Sequence, residues 1–188
     1  PSRTHHARWS VVAGLDKRTG GLVGTWASIV AGLLIVYVLA QVYRGGVEAA
    51  FRPPTVYAMA ALVATGLFAL WGYLAYAEEA AWHMRHLSPI ALALGAAGVA
   101  AGLTAGPTAG GGLIVAAYLV ELTVGARLYR DFQRETRLGA ALFLAGVLVF
   151  MLFLPLAIAW RWAALVSMAG DIVKVAGLLL IAAAIHSK

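Results

Sequence analysis

Cysteine is absent from this 188-residue chain, which excludes disulfides, thiolate catalysis and Cys-ligated metals. Asparagine is absent as well, and glutamine stands only at positions 41 and 133. Scarcity of these thermolabile residues points towards a thermophile. A GC-rich genome leaves the same mark, and eleven Arg against three Lys fit that origin equally. Charge is scarce too: 12% of residues are charged, 62% are hydrophobic, and the mean hydropathy is +0.86. A soluble domain must wet its outside, and this composition leaves too little to do so. Motifs of self-contained catalysis are also missing: no Gly-x-Ser-x-Gly, no P-loop and no Gly-x-Gly-x-x-Gly.

What is present is a series of long apolar runs, several approaching or exceeding the roughly 20 residues that span a bilayer core. Six spans are expected: Gly21–Tyr43, Thr55–Tyr76, Ser88–Ala105, Gly110–Leu128, Leu138–Trp160 and Trp162–Ile185. Breakers separate them, with RGG and RPP after the first, SP before the third and AGPTAGGG before the fourth. Helices are the default, because every backbone polar group must be satisfied inside lipid and no barrel-like alternation is seen. The fold class is therefore an all-α integral membrane protein with six transmembrane helices. Residues 1–20 read as a cytoplasmic or interfacial tail, and 21–186 as one transmembrane domain. The first apolar run follows basic residues and is too long for the core of a cleaved signal.

The net charge of +6 could suggest nucleic acid, but the positions of the charges fit topology better. With the N-terminus inside, ten Lys and Arg fall on the cytoplasmic side and three, Arg44, Arg52 and Arg161, on the other. The positive-inside rule then places both termini in the cytoplasm, and the plasma membrane is the expected location. The link RDFQRET, with its mixed charges, reads as a solvated cap. A division into two sets of three helices would make the second set run inverted to the first, an arrangement common in transporters.

The third span is built from Gly and Ala. Gly98, Gly102 and Gly106 repeat every four residues, with Gly95 near the same face, and small residues let helix backbones approach closely in lipid. Pro155 is expected to kink the fifth span.

Three ionisable residues lie at bilayer depth: Glu121, Asp171 and Lys174. Such groups are expensive in hydrocarbon and turn towards the bundle interior and a partner. Counted from the same side of the membrane, Glu121 lies about 17 Å and Lys174 about 18 Å along their helices. Asp171 and Lys174 share a face at i, i+3. Ser167 extends that polar stripe, and Tyr118 lies on the Glu121 face. A buried cluster Glu121–Lys174–Asp171 is expected, serving as a proton or ion relay, as the floor of a substrate cavity, or as a structural lock. The stretch GDIVKVAGLLLI resembles the last helix of microbial rhodopsins. Its Asp and Lys stand three residues apart instead of four, and the spans number six instead of seven, so no family follows.

A second constellation is AEEAAWHMRHLSP. On a helix continuing from the second span, Glu79, His83 and His86 could share a face, and His186 falls on the same side, as do His5 and His6. Carboxylate with imidazole suits a metal, and two imidazoles could clasp a haem. The functional readings rank as follows. First is an integral subunit of a larger, energy-transducing or respiratory membrane assembly, partnered by other membrane subunits or by itself as well as by the bilayer. Second is a self-standing transporter or channel. Third is a membrane haem or metal protein. Nucleic acid is not an expected partner.

Overall fold

The computed structural model describes residues 14–188; the tail before them, with His5 and His6, lies outside the described residues. Six long helices and no strand occur among the described residues: α1 (Lys17–Gly45), α2 (Thr55–Tyr76), α3 (Ala81–Thr104), α4 (Pro107–Gln133), α5 (Arg137–Phe153) and α6 (Arg161–His186). Short 3-10 helices, Val47–Phe51 and Pro155–Ile158, follow α1 and α5. All six helical segments, the fifth taken through Ile158, are long and apolar enough to cross a membrane.

The helix limits follow local chemistry at some ends and distant contacts at others. α1 starts four residues before the expected Gly21, because the Asp16 side chain accepts from the Thr19 amide at 2.9 Å and caps the first turn. α4 starts at Pro107, three residues before Gly110; proline suits a first turn, which needs no amide donor. Gly106, just before it, holds φ at +110°, which disfavours any residue with a Cβ. α5 ends at Phe153, and Pro155 opens a separate 3-10 turn instead of kinking a continuing helix.

The link between the second and third spans departs most from expectation. The chain breaks at 77–80, not at Ser88, and α3 runs through Pro89 without interruption. A buried carboxylate on α4 causes this. Asp131 accepts from the amides of Glu78, Glu79 and Ala80 at 3.2, 3.1 and 3.1 Å. Ala80, at the helix start, has no side chain able to cap, so Asp131 satisfies the exposed amides from across the bundle. The RDFQRET link is thus no simple solvated cap, since Asp131 within it is 3% exposed.

The helices pair as three tight hairpins, α1–α2, α3–α4 and α5–α6, each closed by glycines whose backbones touch. A Cβ on Gly72 would stand 2.7 Å from the Gly20 carbonyl oxygen. One on Gly110 would stand 2.5 Å from Gly102 Cα, and one on Gly177 would stand 2.6 Å from the Gly139 oxygen. Such approaches give dispersion contact where lipid offers no hydrophobic drive. The close pairings run two plus two plus two, not three plus three. α1 also packs closely on α6, so α2, α1, α6 and α5 form one arc. The α3–α4 hairpin closes the ring and meets α2 and α5 more loosely.

Candidate functional site

Loose closure of the ring leaves a cavity of about 300 Å³. It reaches from the 3-10 segments, at Phe51 and Ile158, to Tyr73 and Leu128 near the opposite end, and all six helices contribute to its wall. Most of that wall is apolar. Its polar side chains are Ser28, Tyr73, Ser88, Tyr118, Glu121 and Lys174.

Lys174 reaches the cavity because of what lies behind it. At Gly146, α5 meets the backbone of α6 so closely that a Cβ there would stand 2.5 Å from the Gly170 oxygen, in contact with Lys174. Asp171, 0% exposed, forms an ion pair with the Lys174 ammonium. Gly32 of α1 makes room for that carboxylate: a Cβ there would stand 3.2 Å from Asp171 Oδ2. Beyond the ion pair, neither Asp171 oxygen has a hydrogen-bond donor among the described residues. The Lys174 Nζ also stands 5.4 Å from the centre of the Phe150 ring, whose edge-on partner is Tyr118 at 5.1 Å.

Glu121 enters from the other side of the ring. On α4, Ile114, Tyr118, Glu121, Leu122 and Gly125 recur at three- and four-residue spacing and all face the cavity. Glu121 lines that space and is exposed. Lys174 lies within electrostatic reach, but Glu121 makes no ion pair among the described residues. The expected acid–base–acid cluster therefore resolves into a closed Asp171–Lys174 pair and a separate Glu121 on the same cavity. Ser167 departs from the polar stripe: it is 0% exposed and its hydroxyl donates to the Phe150 carbonyl at 3.4 Å, so it bonds α5 and not the cavity.

One end of the cavity is shut in two layers. Tyr73 packs on Phe132 with ring centres 5.9 Å apart, and Phe132 on Phe143 at 5.1 Å, with Tyr76 6.0 Å from Phe132. Tyr73 and Phe143 face the cavity, while buried Tyr76 and Phe132 lie behind them beside Asp131. Beyond this layer is an ion-pair network. Lys17 at the start of α1 meets Glu78 at 2.5 Å, and Arg134 after α4 pairs with both Glu78 and Glu79, the latter at 3.0 Å. The hydrogen bond from Lys17, with Arg134 adding to it, holds the Glu78 carboxyl below the usual carboxylate range. Lys188 at the end of the chain joins Glu135 at 2.6 Å, and Arg18 donates to the His186 carbonyl.

Glu79, His83, His86 and His186 do not converge. Among the described residues no group of three or more His, Asp and Glu could hold a metal ion. The chain break at 77–80 separates Glu79 from the helix of the histidines, and Glu79 is taken by Arg134. His86 stacks on Trp82 at 4.8 Å and bonds the Trp82 carbonyl at 2.8 Å, while His186 is exposed at the end of α6. The glycine set divides as well. Gly98 and Gly102 lie against α4, and Gly106 sits in the α3–α4 link. Gly95 lines the cavity, and a Cβ added to it would meet nothing within 4 Å.

No protein-family model, curated protein or solved structure matches this chain. Two features escape or reward a reading of the sequence. Asp131 sits in a charge-rich link whose neighbours, Arg130, Gln133 and Arg134, are less buried, so nothing local marks it as enclosed. The glycine seam of α5–α6 is legible in spacing: Gly139 and Gly146, like Gly170 and Gly177, stand seven residues apart, two turns of helix.

Proposed function

We propose that this chain is a self-standing multi-pass membrane carrier that holds a small, mostly apolar molecule inside its helix ring. The cavity carries the reading: about 300 Å³, apolar over most of its wall, with Glu121 and Lys174 at bilayer depth to orient the ligand. That size is at the lower end of small-molecule sites, roughly 300–1,000 Å³, and a few polar groups in an apolar pocket are their usual make-up. A cavity formed within one chain favours a carrier over an accessory subunit, because the ligand space needs no second protein. A purely structural role for Asp171–Lys174 is the weaker reading: a stabilising buried pair has its remaining lone pairs satisfied, and those of Asp171 are not. The plasma membrane and cytoplasmic termini belong to the same proposal. Supporting the cytoplasmic termini, Lys17, Arg18, Arg134 and Lys188 gather at one end of the bundle.

Gly95 provides the test. A Cβ there meets nothing within 4 Å, so a leucine side chain has room to start into the cavity and should fill part of it. Protein in lipid nanodiscs should bind 1-octanol in a calorimetric titration, and Gly95→Leu should lose that heat while melting at least as high as the wild type. Equal binding by the two proteins would sink the cavity reading.

A further inference from the structure

The charge balance of the cavity selects a class of ligand. Two carboxylates and one ammonium lie at bilayer depth: Asp171, Glu121 and Lys174. The ammonium is committed, since buried Asp171 holds it in an ion pair and the Phe150 ring lies near it. Lys174 is only 13% exposed at its side chain and cannot act as an open anion site without abandoning a carboxylate that has no other donor. Glu121 is the reverse: accessible, on the cavity wall, and without an ion pair among the described residues. The other titratable side chains on that wall are Tyr73 of α2 and Tyr118 of α4; α1, α3 and α5 contribute none. The open valence of the cavity is therefore one carboxyl group in apolar surroundings, whose charged form is costly without a cation beside it. A ligand of opposite sign removes that cost, and an anion adds to it.

Resting on the carrier reading, we propose that the cavity takes a lipophilic monocation: an amine or quaternary ammonium head seated at Glu121, with an apolar body along the wall towards Phe51. Tyr118, one turn from Glu121, offers an aromatic ring to the same head, and Phe150 stands edge-on beside it. Cations are attracted to such faces.

Three probes with the same alkyl chain and different heads test this: octyltrimethylammonium, octanoate and 1-octanol, titrated calorimetrically against the full chain in nanodiscs. The ammonium should bind at least about tenfold more tightly than the other two, since a charge pair in a partly apolar site is worth that much or more. Glu121→Gln should bring the three affinities together, and Glu121→Asp should restore the preference for the cation. Octanoate binding as tightly as the ammonium overturns the ligand class while leaving the cavity reading standing. Binding of none of the three overturns the cavity reading itself. A cation preference that survives in Glu121→Gln, in protein that melts like the wild type, removes Glu121 from the site and overturns the proposal.

Discussion

Inside each hairpin the helices touch backbone to backbone, whereas the α3–α4 hairpin meets α2 and α5 with space between. The contrast shows in two glycines one turn apart on α3. Gly98 is pressed against α4, with a Cβ there 3.0 Å from the Gly110 oxygen and 2.7 Å from an Ile114 side-chain carbon. Gly95 faces open cavity. One residue type thus closes a seam at one position and keeps a void at the next. The tight seams hold the fold, and the loose ones leave the chamber that Glu121 and Lys174 both line.

Lys174 stands where both kinds of seam join, so changing it should have the largest effect. Lys174→Ala strands the buried Asp171 charge and should cost on the order of 3–5 kcal/mol, read as a large fall in melting temperature. The double variant Asp171→Leu, Lys174→Met should regain most of that loss, because the pair is replaced by apolar groups of similar size. If the double variant is as unstable as the single one, the pair is a lock and the contrast between structural and cavity roles is misdrawn.

Asp131→Ala comes next. It leaves the amides of Glu78, Glu79 and Ala80 without their acceptor, at a cost of about 1–3 kcal/mol, with protease cutting in the α2–α3 link as a second readout. Gly177→Ala pushes a methyl into the α5 backbone and should cost about 1–3 kcal/mol by the same melting assay. Gly95→Leu should do the opposite, gaining up to about 1 kcal/mol because leucine is the better helix former and a Cβ there meets nothing within 4 Å. Equal destabilisation at Gly177 and Gly95 would erase the distinction between tight and loose seams.

The smallest effect is that of acid on the ion-pair network. Glu78 is held below its ordinary value of 4.5, so its contribution is present at neutral pH and is lost as pH falls below 4.5 and through the lowered value. The melting temperature should drop in that window, and Glu78→Gln should flatten the drop. Because Glu78 is partly exposed, raised salt should weaken the same contribution.

Composition and run length by themselves determined that the chain is all-helical with six apolar segments, because backbone polar groups in lipid leave helices as the simplest solution. They also marked Glu121, Asp171 and Lys174 as unusual, since a charge in an apolar run stands out on cost alone. The limits of α2, Thr55–Tyr76, were legible from the apolar run, whereas α1 and α4 begin earlier than expected, at the Asp16 cap and at Pro107. The start of α3 was not legible, because its cap, Asp131, comes from a residue fifty-one positions beyond Ala80 and is brought there by the bundle. Tertiary structure alone decided how the three charges divide. Spacing gave Asp171 and Lys174 to each other, but the separation of Glu121 from them depends on how loosely α4 packs on α5, a distance that no periodicity within either helix encodes. It decided the histidines too: a continuous helix would have gathered Glu79, His83 and His86, and the turn fixed by Asp131 keeps Glu79 with Arg134 instead.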